Sequence, residues 1–207
     1  MKVITKTIEA FDFAELSDEA KDVVRVRFSS DLDCHFWDHI ESFKTFIDGI
    51  KPIASVKSWD IDYSCRNRSR VSICLDDALP EAVYYGDLSP ARLRTYLLNN
   101  LSFLKPQKMR FYKDGHYSVY RDSKVLVDKD STEYSLTGYG TDYPLLKPIL
   151  DFINNPYPTD LLQILNDCFY NFFSAVESDY YYYTSDEFLA EFFKDNDYLF
   201  TVNGGLV

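Results

Sequence analysis

Leu161, Leu165, Cys168, Phe169, Phe172 and Val176 recur at three- and four-residue spacing. That spacing follows the turn of an α-helix and not the alternation of a strand. One long, largely buried helix is therefore expected up to about Val176, and other elements must cover its apolar stripe. Helical signals flank it on both sides. From Pro144 the chain carries Leu145, Leu146, Ile149, Leu150 and Ile153, until Pro156 and Pro158 break the pattern. Thr159 is the expected cap of the long helix. Thr184-Ser185-Asp186-Glu187 reads as a capping box, with Thr and Glu three residues apart. It opens a last helix holding Phe188, Leu189, Phe192 and Phe193. A short strand from Tyr198 to Val202 is expected before Asn203-Gly204-Gly205.

The first half of the chain mixes both periods. Lys2 to Ile8 alternates as a half-buried strand does. Ser17 precedes Asp18-Glu19-Ala20-Lys21, a start signal for a helix to about Phe28. A second helix is expected over Asp33 to Asp48, with Phe36, Trp37, Ile40, Phe43 and Ile47 inward and Gly49 as its stop. Two strands follow, about Ile53 to Tyr63 and Ser69 to Leu75, joined by the basic turn Arg66-Asn67-Arg68. Ser89-Pro90 starts another helix, continued by Leu93, Leu97, Leu101 and Leu104. Asp114-Gly115 joins Lys108–Lys113 to His116–Arg121 as a hairpin, and Lys124 to Asp128 is a further candidate strand. The architecture expected is α+β: a small antiparallel sheet packed by several helices, with a mainly helical C-terminal third. A chain of 207 residues with 16 Phe, 17 Tyr and 2 Trp has enough apolar surface for a core without staples. A single domain over residues 1–207 is expected.

Charge narrows the function. The chain carries 22 bases and 33 acids, a net of −11. Such a chain is a poor general ligand for nucleic acid, whose phosphates are met by Lys and Arg. Residues 151–207 hold ten acids against one base, a net of −9, whereas the first 150 residues hold 21 bases and 23 acids. A local negative field steers cationic partners. The same segment includes the run Tyr180-Tyr181-Tyr182-Tyr183, and tyrosine is enriched at the centres of protein interfaces. In an extended run, alternate rings would face opposite ways. Glu177, Asp179, Asp186, Glu187 and Glu191 bracket the run. With the four tyrosines they are the candidate binding residues. The plainer alternative is a solvated helix face above core aromatics.

Other constellations point to less. His35 and His39 stand four apart on one helix face and are candidates for a metal pair. Phe36 replaces the glutamate of the zincin pattern, and two histidines on a wet helix face is the simpler reading. Arg66, Arg68 and Arg70, with Trp59, Tyr63 and Asn67, form a basic patch. It suits phosphate or RNA, or else pairs with the acidic C-terminal region within the chain or in a dimer, and a solvated turn is the plainer reading. Cys34, Cys65, Cys74 and Cys168 form no CxxC pair and read as reduced, mostly buried residues. Gly138-Tyr139-Gly140 lacks the strand and helix of a dinucleotide loop. No signal-peptide core lies within Met1 to Glu9, and no apolar run reaches the length of a membrane span. A cytosolic, non-enzymatic protein without a cofactor is expected.

Two stretches resemble a family of small phage and prophage proteins. Phe11-Asp12-Phe13-Ala14-Glu15-Leu16-Ser17-Asp18-Glu19-Ala20-Lys21 is similar to its F-x-F-x-E-L-S-x-x-A-K opening. The resemblance continues in Leu136-Thr137-Gly138, Leu146 to Phe152, Asp179-Tyr180, Ser185-Asp186-Glu187 and Asn196-Asp197-Tyr198-Leu199-Phe200 ahead of Gly204. The chain departs from the family at Ser64 to Ser69, where a Gly-rich stretch is common. The resemblance implies a phage or prophage gene expressed in bacterial cytoplasm. Small acidic proteins from that setting often inhibit host defence, anti-CRISPR proteins among them. The leading expectation is thus an inhibitor of a bacterial immunity complex. Its partner would be a defence effector such as a Cas protein, met at a basic nucleic-acid-binding surface without direct nucleic-acid contact or a membrane. The alternatives are an antitoxin-like or regulatory protein-binding module and, less favoured, a metal-dependent hydrolase.

Overall fold

The computed structural model describes residues 8–29, 36–104 and 135–207 in full, and the backbone of 107–111 and 117–121. The expected strand Lys2–Ile8, His35, Cys34, the Asp114-Gly115 turn and the candidate strand Lys124–Asp128 lie wholly or almost wholly outside these residues. The fold is α+β, with two two-stranded antiparallel sheets among seven α-helices in the described residues. Contacts divide the chain into two compact units. The smaller comprises Met1–Phe36 and Ser178–Val207, the larger Trp37–Glu177.

In the larger unit, α2 (Trp37–Ile50) buries Phe43, Phe46 and Ile50. Gly49 does not stop it. A Cβ at Gly49 would come within 2.7 Å of the Phe103 ring, so the glycine lets an edge of that ring approach the helix backbone. Trp37, expected inward, is 53% exposed, with its ring edge-on to that of Tyr139 at 5.8 Å. β1 (Ala54–Asp60) pairs antiparallel with β2 (Arg70–Leu75) in a register running from Ala54–Leu75 to Asp60–Arg70. The register shifts between Val56 and Ser58, so Lys57 is the extra residue of a bulge. A short α3 (Glu81–Tyr84) precedes α4 (Pro90–Asn100). Leu93 and Leu97 are buried in α4, while Leu101 and Leu104 are buried just past its end. The hairpin pairs β3 (Gln107–Phe111) with β4 (Tyr117–Arg121).

Helix α5 (Asp142–Asn154) begins two residues before Pro144. All five apolar residues expected to face inward there are buried. The long helix α6 spans Leu161–Tyr183 and buries its whole predicted stripe. Its cap is Asp160 and not Thr159: the Gln163 backbone N–H donates to Asp160 Oδ1 at 2.8 Å. It also runs seven residues beyond Val176, so the tyrosine run is helical and not extended.

The smaller unit is built around Phe13, Leu16, Ala20, Val24, Leu189, Phe193 and Phe200. These come from a short 3-10 turn (Phe13–Glu15), α1 (Asp18–Ser29), α7 (Asp186–Asp195) and the chain beyond it. Ser17 caps α1, accepting from the Ala20 N–H at 3.3 Å. The expected terminal strand is reduced to single bridges, Phe11–Phe200 and Phe200–Leu206. Phe193 stacks edge-on against Phe200 at 5.0 Å between ring centres, and Phe13 tilts against Phe193 at 5.5 Å. Aromatic pairs of this kind add about 1 kcal/mol each beyond the area they bury.

Candidate functional site

The candidate face forms where α6 ends and α7 begins. Thr184 Oγ1 donates back to the Tyr180 carbonyl at 2.8 Å, beside the Thr184 backbone N–H at 3.0 Å, and so closes the last turn of α6. The next residue, Ser185, is the cap of α7 and accepts from the Phe188 N–H at 3.3 Å. The capping role expected of Thr184 is therefore Ser185's. Successive residues of a helix turn by about 100°, so four tyrosines in a row point around a full turn. Tyr181 and Tyr182 are exposed, at 60% and 59%. Tyr180 and Tyr183 are half-buried, and Tyr183 packs edge-on against Phe36 and Phe188. Tyr182 also leans on Phe188 at 5.2 Å, which seats its exposed ring beside the start of α7.

The acids divide by partner. The Glu177 carboxylate accepts from the Arg66 backbone N–H at 3.2 Å and lies 3.7 Å from Arg66 Nε. Asp186 is bound by Arg25, whose Nε donates to Oδ1 at 3.1 Å, with Lys21 Nζ at 3.7 Å from Oδ2. Asp186 raises the pKa of the Arg25 guanidinium by accepting these bonds, against the smaller opposing effect of burial. Glu177 and Asp186 are thus neutralised by the chain's own bases. Asp179 is half-buried. Glu187 and Glu191 are exposed on the outward face of α7, opposite buried Leu189 and Phe193, and enter no ion pair among the described residues.

The fold also regroups charge. Residues 1–36 and 178–207 together carry 14 acids and 6 bases, a net of −8. Residues 37–177 carry 19 acids and 16 bases, a net of −3. The acidity belongs to the smaller unit, where the N-terminal segment joins the C-terminal one. A cleft of about 430 Å³ in this unit is walled by Asp12, Glu191, Lys194, Asp195 and Tyr198.

The arginine patch is internally engaged. Arg66 Nη1 donates to Ser174 Oγ at 3.1 Å, and its guanidinium lies 5.2 Å from the centre of the Tyr170 ring. It fastens the β1–β2 loop to α6. Arg68 Nε sits 2.9 Å from Asp62 Oδ2, and Arg70 Nη1 donates to the Asn67 carbonyl at 2.6 Å. Asp62 also accepts from the Ser64 N–H at 3.0 Å, an Asx-turn that shapes the loop. Among the readings of this patch, pairing with the acidic C-terminal region is seen at Arg66–Glu177.

His39 departs from the wet-face expectation: it is buried, with its ring 6.2 Å from that of Phe172. No cluster of three metal-ligating side chains occurs among the described residues. Cys168 is buried, and burial pushes its thiol pKa far up; Cys65 is half-buried, and Cys74 is exposed, against expectation for a small hydrophobe. Cys74 lies in a second cleft of about 670 Å³ with Lys57, Asp76, Asp77, Tyr84 and Leu162. No described helix is long and apolar enough to cross a membrane.

One site escaped the sequence reading. Asp142 is fully buried, yet its carboxylate accepts from five donors. Oδ2 receives the backbone N–H groups of Leu136, Thr137 and Gly138 at 3.0, 2.8 and 3.1 Å. Oδ1 receives the Ser42 and Thr137 hydroxyls, each at 2.7 Å. The turn Leu136–Thr141 is thereby tied to α2 and α5. The signal lay in Thr137-Gly138 followed by an acid at the start of a helix, a combination that supplies close backbone donors. No family model, curated protein or solved structure matches this chain.

Proposed function

We propose that this protein is a non-catalytic inhibitor of a bacterial immunity complex, acting in the host cytoplasm by covering a cationic nucleic-acid-binding surface. The observation that carries this reading is the charge of the smaller unit, 14 acids against 6 bases, with Glu187 and Glu191 exposed on α7 and Tyr181 and Tyr182 exposed at the end of α6. Carboxylates free of internal partners retain their field for a partner's Lys and Arg, and tyrosines give rigid contact area at low entropic cost. The phage-like sequence motifs supply the bacterial setting. Glu177 and Asp186 drop out of the docking set, because each already holds an arginine of its own chain.

The test is inhibition of purified RNA-guided effector complexes by the Glu187→Lys/Glu191→Lys variant. The variant is expected to lose inhibition while keeping the circular dichroism and melting temperature of the parent. Full inhibition by a folded variant would contradict the acidic-face mechanism. If no immune complex is inhibited by the parent protein, the immunity role itself fails.

A further inference from the structure

We propose that the free edge of β2 pairs with the same strand of a second copy of this chain, joining two copies through one four-stranded antiparallel sheet. The site lies wholly in the larger unit and does not rest on the acidic-face reading. The Asp76 N–H donates to the Ile53 carbonyl at 3.2 Å, one step beyond the Ala54–Leu75 pair. Hydrogen-bonded pairs alternate along an antiparallel ladder, so Cys74, Ser72 and Arg70 also direct their backbone groups at β1. The bulge adds its extra residue to β1 and leaves the alternation on β2 intact. Val71, Ile73 and Leu75 therefore direct their N–H and C=O groups to the opposite edge, where no strand pairs with them among the described residues. Ile73 and Leu75 also line the cleft of about 670 Å³, so open space lies against this strand.

The two edges of this sheet differ. β1 carries the bulge at Lys57, and a bulge and a lysine both blunt an edge. β2 has no bulge, lysine or proline. The sequence of β2 itself names the occupant. Run antiparallel about a two-fold axis at Ile73, it sets Ile73 opposite Ile73 of the partner subunit and Val71 opposite Leu75 of the partner subunit. These are the half-buried residues of one face. Arg70 then stands opposite Asp76 of the partner subunit, once on each side of the axis. Both residues are exposed, and neither enters an ion pair among the described residues. Arg70 donates to the backbone carbonyls of Asn67 and Ser69, and Asp76 Oδ1 accepts from the Ala78 N–H. Opposite charges facing each other across two strands stabilise the pairing. Moving the axis to Ser72 or Cys74 loses both Arg–Asp pairs and leaves edge groups unbonded. The Ile73 axis bonds them all, and only the blunted β1 edges remain outside.

The full chain is followed by sedimentation velocity over a concentration series, with the fold of each variant checked by circular dichroism. The parent is expected to reach twice the chain mass as concentration rises. Arg70→Asp alone and Asp76→Arg alone each turn two cross-strand attractions into repulsions, and each is expected to weaken dimerisation about tenfold. Arg70→Asp/Asp76→Arg restores opposite charges across the axis and is expected to return to within about threefold of the parent. A second variant tests the register. Ser72 stands opposite Cys74 of the partner subunit in a non-hydrogen-bonded pair, with Cα atoms about 4.5 Å apart, within reach of a disulfide. Oxidised Ser72→Cys is expected to become a covalent dimer, and Ser72→Cys/Cys74→Ser is not. A parent that stays monomeric, a charge-swapped variant no tighter than the single ones, or a parent that itself oxidises to a dimer linked through Cys74 would overturn the proposal. So would a monomeric chain in which residues 70–76 shift on adding an extended peptide of unrelated sequence, because the edge then belongs to a foreign strand.

Discussion

Gly204 has no room for a side chain. Its φ is +77°, and a Cβ there would sit 2.5 Å from the Ala20 carbonyl oxygen, with a Val24 methyl at 3.2 Å. Gly204→Ala therefore combines left-handed backbone strain with a backbone clash and is expected to cost about 2–4 kcal/mol, read from urea denaturation. Asp142 is the second critical position. Asp142→Ala removes the buried acceptor shared by three backbone N–H groups and two hydroxyls, and about 3 kcal/mol should be lost. Asp142→Asn keeps one acceptor oxygen and should cost less. If the two variants melted together, the carboxylate network would not be what holds the turn. Neither residue is conspicuous in the sequence. Asn203-Gly204-Gly205 marks a chain reversal, but only packing on α1 shows which glycine is pinned. Asp142 reads as one more acid among 33.

Elements were legible wherever the signal is local. The buried stripes of α5 and α6 follow from period alone, and the start of α1 follows from Ser17. The errors lie at ends, where two residues compete for one role. Thr184 and Ser185 both fit a cap, and the outcome turns on the Thr184 hydroxyl bonding backwards to Tyr180. Asp160 likewise displaces Thr159. His39 and Trp37 exchanged their expected environments, because helical spacing gives a face but not what lies against it. In sequence the β1–β2 loop is only a basic turn, since its tie to α6 through Arg66 and Glu177 joins segments far apart in the chain. That pair is half-exposed, so a double-mutant cycle with Arg66→Ala and Glu177→Ala should give a coupling of only about 0.5–1 kcal/mol. Arg66→Lys should not restore it, because the planar guanidinium also stacks on Tyr170 and reaches Ser174. At the start of α1, backbone and Ser17 hydrogen bonds hold Glu19 below its ordinary pKa. Its stabilising effect is present above the unfolded value and fades as pH falls through the lowered one.

At the scale of the molecule, charge and fold are correlated in a way that a linear window blurs. The C-terminal quarter looked like the acidic region, yet Asp151, Asp160, Asp167 and Glu177 belong to the larger unit, while the N-terminal acids join the smaller one. The contact pattern, and not chain position, decides which carboxylates share a field. Within that unit the field is reduced where Arg25 and Lys21 reach Asp186, whereas Glu187 and Glu191 enter no ion pair among the described residues, Lys194 sharing only the cleft beside Glu191. Exposed charge of this kind is screened within about 8 Å at physiological ionic strength, so it acts mainly on the rate of encounter. The most direct measurement of the central claim is the association rate of the parent chain, and of Glu187→Lys/Glu191→Lys, with an inhibited immune effector across a salt series. The parent rate should fall steeply with added salt, and the variant should start slow and stay nearly flat. Identical rates and identical salt slopes for the two proteins would contradict a docking face made of these carboxylates.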